Sequence, residues 1–258
     1  MHNNQPIGLF DSGIGGTSIW KAIHSLLPNE STIYLADSKN APYGEKSKEA
    51  ILALSKKNTE YLLQQGCKII VVACNTATTN AIKELRAAYD VPFIGIEPAI
   101  KPAALSSKTQ TIGILATKGT LSSELFNKAV EVYQTTKIVE QIGHGLVELI
   151  EAGEIHSSEM QVLLKRYLEP MIAANIDYLV LGCSHYPYLI PEIKKILPAH
   201  IQIIDSGEAV ARQTMAVLQD KVGLHDSSLA TPIFYTNTNP AVLAELIGAN
   251  YSVNQLDF

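Results

Sequence analysis

Two apolar runs in this chain break off in the same way. Residues 71–76 read VVACNT and residues 180–186 read VLGCSHY, each a hydrophobic stretch ending in a small residue, a cysteine and small polar groups. The chain has only three cysteines, Cys67, Cys74 and Cys183. A thiol is a small acid–base group whose ionisation lies close enough to neutrality to be tuned. Cys74 and Cys183 each head into a polar loop that opens a helix, and a helix N-terminus favours the thiolate, so both are expected below the usual thiol pKa of about 8.5. His185 is placed to exchange a proton with Cys183, and Asp11, at the end of a neighbouring strand, to do so with Cys74. Cys67 sits at a helix-to-strand junction without polar neighbours and reads as a buried small hydrophobe.

Other chemistries fit less well. No CxxC or HxxxH pair accompanies these residues, so no metal site is expected. The glycine-rich DSGIGG (11–16) follows a strand, but it matches neither G-x-x-x-x-G-K-[ST] nor G-x-G-x-x-G, and a nucleotide site is weakly supported. Its tight turn would still offer backbone N–H groups to an anion such as a carboxylate. APYGEKS (41–47) reads as a loop opening a helix, able to act as a lid and to supply hydrogen-bond donors.

The elements that must position these groups alternate. PIGLF (6–10), TIYLA (32–36), KIIVVA (68–73) and VPFIG (91–95) have strand length, and residues 45–66 are helical in length and composition, with Gly66 placed to end the helix. The pattern then restarts with strands at 111–116, 136–140, 177–182 and 201–205 and helices at 119–134 and 157–174. IGLFDSG (7–13) parallels IGILATK (112–118), and Asp11 precedes Cys74 by 63 residues as Ala116 precedes Cys183 by 67. The expectation is an α/β protein of two similar doubly wound parallel-sheet units, each with a cysteine at an equivalent strand end. Ligands of open parallel sheets bind beyond the carboxyl ends of the strands, so two facing units would bring both thiols to one cleft.

Composition narrows the class. The 258 residues are 47% hydrophobic and 17% charged, with a net charge of −5, which fits an ordered globular protein. Basic pairs are confined to Lys56–Lys57 and Lys194–Lys195 and arginine to Arg86, Arg166 and Arg212, so nucleic acid is a poor candidate partner. No apolar run approaches membrane-spanning length, the N-terminus does not read as a signal peptide, and unpaired cysteines fit a reducing cytoplasm.

FDSGIGG, ADSKNAPYGEKS, VVACNTATT, GIEPA, LGCSHYP and DSGEAVA, in this order between residues 7 and 212, together resemble the glutamate racemases of the aspartate/glutamate racemase family. The resemblance implies a cofactor-independent amino-acid racemase of bacterial cell-wall synthesis. Its two α/β lobes would be related by a pseudo-twofold axis, one formed by residues 1–98 with 208–258 and the other by 99–207, with the site between them. It implies Cys74 and Cys183 as catalytic bases, Asp11 and His185 as their helpers, and Asp11, Ser12, Tyr43, Gly44, Asn75, Thr76, Thr117, Ser184 and His185 as contacts to L- or D-glutamate. Two departures stand out. Ser184 occupies a position where the family usually has threonine. The loop before the acidic residue, here Glu151, reads GHGLVELIEAG (143–153) instead of a run rich in proline and phenylalanine. Alternatives are aspartate racemisation, a hydrolase or lyase working through Cys183 and His185 alone, and a non-enzymatic binding module. The resemblance also admits a homodimer, and a contact with DNA gyrase, known of some members, has no support in the sequence.

Overall fold

The computed structural model describes residues 3–225 and 231–258. Two wholly parallel sheets organise it, one of six strands in the order β10-β9-β2-β1-β3-β4 and one of four in the order β6-β5-β7-β8. In the first, β1 (Ile7–Asp11) lies between β2 (Thr32–Ala36) and β3 (Ile69–Val72), with β4 (Phe93–Gly95) outside β3. In the second, β5 (Thr111–Ala116) lies between β6 (Lys137–Ile142) and β7 (Tyr178–Gly182), with β8 (Gln202–Ile204) outside β7. The order 2-1-3-4 thus recurs as 6-5-7-8, which is the internal repeat expressed in hydrogen bonds. Every residue of β1, β2, β3 and β5 is buried, as a parallel sheet covered on both faces requires.

The helices covering these sheets begin where short polar side chains can cap them. Ser47 accepts from the Ala50 N–H at the start of α2 (Lys48–Gln64), and Ser157 accepts from the Met160 N–H at the start of α8 (Ser158–Ala173). Gly66 takes a φ of +77° just after α2, as its expected role in ending that helix requires. The helix expected at 119–134 is instead two, α5 (Lys118–Leu121) and α6 (Glu124–Glu131). Ser123 breaks it, because its hydroxyl accepts the Phe126 N–H and starts a new helix. In the first lobe α1 (Thr17–Leu26) and α3 (Asn75–Ala88) follow β1 and β3, and α4 (Ile100–Ser106) follows β4. In the second, α7 (Leu146–Glu151) follows β6 and α9 (Ile190–Ile193) lies between β7 and β8.

The C-terminal segment then returns to the first sheet. After α10 (Gly207–Val217), β9 (Ile233–Thr236) pairs with β2, and after α11 (Ala241–Ile247), β10 (Val253–Gln255) pairs with β9. Sequence reading did not identify these strands, which are short and on or near the sheet edge. Their seat is an aromatic cluster: Trp20 of α1 meets Phe234 edge-on at 4.7 Å and Tyr251 at 5.1 Å. The chain passes between the sheets near Glu97 and again near Ser206, and the Ser206 hydroxyl donates to the Glu97 carbonyl, fastening one crossing to the other.

At the opposite end of the first sheet a charge pair closes the fold. Lys68 Nζ lies 2.8 Å from Glu30 Oε2 with both side chains nearly inaccessible. The same ammonium donates to the carbonyls of Asn3 (2.6 Å) and Gly223 (3.1 Å), and the His225 N–H donates to Glu30 (2.7 Å). Removing one partner strands a buried charge. Lys68→Ala should therefore cost about 3–5 kcal/mol in urea unfolding, whereas the double replacement Lys68→Met with Glu30→Leu should cost far less. Equal losses for the two variants would contradict this account.

Candidate active site

The carboxyl edges of both sheets meet at one small cavity. Asp11 ends β1 and is completely buried. Its Oδ2 accepts the N–H groups of Gly16 (2.9 Å) and Gly13 (3.3 Å), and its Oδ1 accepts the Ser184 hydroxyl of the other lobe (3.0 Å). The next amide of the turn, Ile14 N–H, donates to Glu151 Oε1 at 2.7 Å. The glycine-rich turn therefore serves carboxylates of the protein itself, a correction to the expectation that these amides wait for an outside anion. Its glycines also provide clearance. A Cβ at Gly13 would strike the Glu151 carboxylate, and one at Gly15 would strike the His185 ring.

Glu151 is the partner of His185. The imidazole Nε2 donates to Glu151 Oε1 at 2.6 Å, and the Ser38 hydroxyl donates to Oε2 at 2.7 Å. With Nε2 so engaged, Nδ1 faces the Cys183 sulfur at 3.8 Å, the Ser184 hydroxyl at 3.4 Å and Asp11 Oδ2 at 3.9 Å. Burial disfavours the charged imidazolium, but Cys183, Glu151 and Asp11 together hold His185 well above its ordinary pKa. Burial likewise penalises ionised Glu151, yet the bonds from His185, Ser38 and Ile14 keep it below the usual carboxylate range. For Asp11 burial prevails, and its pKa is raised despite the nearby His185 and the Gly16 N–H.

The cavity, about 10 Å³, is lined by Ser12, Tyr43, Gly44, Cys74, Asn75 and Thr76 of the first lobe and by Thr117, Cys183, Ser184 and His185 of the second. Ten of the twelve residues named from sequence thus line one cavity. The other two, Asp11 and Glu151, stand behind it, holding Ser184 and His185. Pro42 and Val147 complete the lining and were missed. Val147 was within reach of a periodicity argument, since it precedes Glu151 by four residues on α7 and so faces the same side. Asp37 was missed as well. It accepts the Tyr43 hydroxyl at 2.5 Å, so Tyr43 borders the cavity with its phenol already engaged.

The thiols sit at equivalent strand ends in unequal settings. Cys74 caps α3, its sulfur accepting the Ala77 N–H at 3.4 Å, and its thiol donates to Ser12 at 3.6 Å. No hydrogen bond joins it to Asp11. Cys183 precedes a 3-10 turn, Tyr186–Leu189, in place of an opening α-helix, and His185 is its polar partner. The expected lowering by a helix N-terminus does not govern Cys74: burial raises its thiol well above the ordinary value, with Asp11 adding to the effect and Ala77 and Ser12 opposing it. Cys67 behaves as expected of a buried hydrophobe, with burial pushing its thiol up to about 12. Two contacts bind α1 to the Cys183 loop, Ser18 Oγ to the Ser184 carbonyl (2.9 Å) and Thr17 Oγ1 to Tyr188 (2.6 Å). Across the seam Thr76 and Thr117 hydroxyls meet at 2.7 Å.

The Asn75 side chain differs from these. Both its amide nitrogen and its oxygen are buried without a hydrogen-bond partner in the protein, while the residue lines the cavity. Orphaned buried amides are costly, and one that borders a cavity is suited to a ligand bearing both an acceptor and a donor.

The His185–Glu151 pair carries a pH signature. Glu151 has a depressed folded pKa, so its contribution is present above the ordinary value of 4.5 and lost as acid protonates it. His185 has a raised folded pKa, so its contribution is complete below 6.5 and lost as pH rises through the raised value. The stability difference between the parent and Glu151→Gln, measured by urea unfolding, should peak between pH 4.5 and 6.5 and decline on either side. A difference that does not vary with pH would show that the pair is not ionised as described.

The model of the Asp/Glu/Hydantoin racemase family matches residues 8–214. The chain is 46% identical over 246 residues to the glutamate racemase of Ralstonia pickettii, covering 95% of this chain and 87% of that protein. Among solved structures, a glutamate racemase isoform from Bacillus anthracis superposes with a TM-score of 0.89 at 32% identity, covering 99% of this chain and 98% of that one. Escherichia coli glutamate racemase, solved with L-glutamate and the activator UDP-MurNAc-ala, gives a TM-score of 0.86 at 31% identity, with 98% of each chain covered. The chain belongs to the Asp/Glu/Hydantoin racemase family.

Proposed function

We propose that this protein interconverts L- and D-glutamate, with Cys74 and Cys183 as the two bases, and so supplies D-glutamate for peptidoglycan. Glutamate racemases are its relatives by sequence and by structure, which disfavours the aspartate alternative. The observation that carries the mechanism is that two thiols, at equivalent ends of repeated strands in the two sheets, line one cavity. We assign residues 1–98 with 208–258 to one lobe and 99–207 to the other, a division supported by the return of β9 and β10 to the first sheet. No helix among the described residues is long and apolar enough to cross a membrane, and the three free cysteines are consistent with a cytoplasmic enzyme.

Racemisation removes the α-proton from one face and delivers another to the opposite face. One cysteine starts as thiolate and takes the proton; the other starts as thiol and returns one, so the pair exchanges states in each turnover. Burial favours the neutral thiol at Cys74, and the ammonium of a bound amino acid supplies a nearby positive charge that favours the thiolate. For Cys183 the proton acceptor is His185 Nδ1, held toward the sulfur by the bond from Nε2 to Glu151. The negative charge that develops on the substrate meets the Asn75 amide and the first N–H groups of α3, which have no intrahelical acceptor.

The first test is an assay with L-glutamate and L-aspartate, with EDTA and without pyridoxal phosphate. Turnover of glutamate is expected, and its loss to EDTA with rescue by zinc would overturn the thiol mechanism. Cys67→Ala should be nearly silent, whereas Cys74→Ala and Cys183→Ala should each abolish racemisation. A fully active Cys74→Ala protein would favour the hydrolase or lyase reading. In D₂O, the earliest D-glutamate formed from L-glutamate should carry deuterium at Cα almost completely, while unreacted L-glutamate stays protiated. Substantial protium in that early product, read by mass spectrometry after chiral separation, would point to one base serving both faces.

A further inference from the structure

A recess of about 530 Å³ lies one seam away from the cavity. Gly44 lines both, and the wall between them is thin. A Cβ on Gly44 would come within 2.9 Å of Thr117, and one on Gly119 within 2.8 Å of Thr76 and 3.2 Å of the Gly44 backbone. The two glycines thus let the lobes close to backbone contact directly over Thr76 and Thr117. A cavity of about 10 Å³ has room for roughly one water molecule, so a five-carbon amino acid enters only when this seam, or one like it, parts.

The recess differs in charge from the rest of the molecule. The chain carries a net −5, yet the recess is lined by Lys46, Lys48, Lys83, Lys118 and Lys128 against Glu45, Glu84 and Glu124. Each glutamate already has a partner: His144 for Glu45 at 3.5 Å, Lys48 for Glu84 at 3.3 Å and Lys128 for Glu124 at 2.5 Å. Lys46, Lys83 and Lys118 make no ion pair with any described residue, and they come from both lobes. The field of lysines on the first lobe reaches across the opening. Glu124, on the second lobe, is held below the usual carboxylate range mainly by Lys128, with lesser contributions from Lys83 and Lys48 of the first.

We propose that this recess is a vestibule for the dicarboxylate substrate, where Lys46, Lys83 and Lys118 gather the anion before it passes the Gly44–Gly119 seam. The inference rests on glutamate being the substrate, since it needs a ligand with net negative charge. A cleft lined by one sign of charge concentrates ligands of the opposite sign, and salt weakens the effect. None of the three lysines lines the cavity, so their contribution is to capture and not to the chemical step.

The test is the triple variant Lys46→Gln, Lys83→Gln, Lys118→Gln, assayed at low and high ionic strength beside the matching Lys→Arg triple. A unit charge about 10 Å away through water changes affinity about twofold, so KM should rise roughly eightfold at low salt. kcat should stay within about twofold, and the difference in KM should vanish near 0.5 M salt, where charges are screened within about 4 Å. The arginine triple should match the parent. Lys83→Gln alone, an exposed change on α3, should give about a twofold rise in KM and serves if the triple does not fold. An unchanged KM at low salt, a rise in KM indifferent to salt, or a fall in kcat with KM intact would each overturn the vestibule. Those results would leave glutamate turnover by the parent, and hence the racemase reading, standing. A parent protein that does not turn over glutamate would overturn both.

Discussion

A fully buried carboxylate must be surrounded by donors, and Asp11 is the point from which this site is built. Two amides of the glycine turn and one hydroxyl from the opposite lobe meet its oxygens. Those bonds fix the turn, the turn presents Ile14 N–H to Glu151, and Glu151 in turn aims His185 at Cys183. The lobes share one continuous apolar cluster, in which Ile14 of the first packs with Val147, Ile150 and Tyr186 of the second, and polar contacts add direction to that packing at the site. Such contacts have a definite geometry and exchange readily with water when they open, which suits an interface that must both align a reaction and release its product.

Much of this was legible in the residues. The repeat of IGLFDSG in IGILATK, with a cysteine at a similar distance after each, gave the two-sheet architecture, and the recurring strand order follows from it. The meeting of both thiols near Asp11 followed from their place at strand carboxyl ends, whereas Ser12, Asn75, Thr76, Thr117 and Ser184 were named through the family resemblance. What sequence could not give is who satisfies whom. Gly13 and Ile14 look like open anion donors until the folded chain delivers Asp11 and Glu151 to them. The Tyr43 hydroxyl looks open until Asp37, six residues earlier, accepts its hydrogen bond. Cys74 does cap a helix, but the desolvation of its sulfur depends on atoms from both lobes, and burial outweighs the helix end.

The two thiols are topological equals served by different chemistry. Cys74 has a hydroxyl and a backbone amide; Cys183 has an imidazole anchored by a carboxylate. An imidazole can store a proton, whereas an amide and a hydroxyl can only orient a sulfur. The thiol of the second lobe therefore has a proton-exchanging neighbour that the thiol of the first lacks. The GHGLVELIEAG stretch belongs to this asymmetry, since α7 carries Glu151 to His185 and Val147 to the cavity wall despite its unusual composition.

The return of β9 to the edge of β2 bears on how the chain is made. Strands β1 to β4 can assemble as soon as they leave the ribosome, and the four strands of the second sheet form a continuous stretch that can follow. The edge of β2, however, stays open until residues 233–236 arrive, after all four strands of the second sheet have been made. An unpaired edge on a hydrophobic parallel sheet invites wrong partners, including the same edge of another nascent chain. β9 and β10 thus act as a seal on strands made long before them, and losing them exposes the first lobe to aggregation without touching a single residue of the cavity.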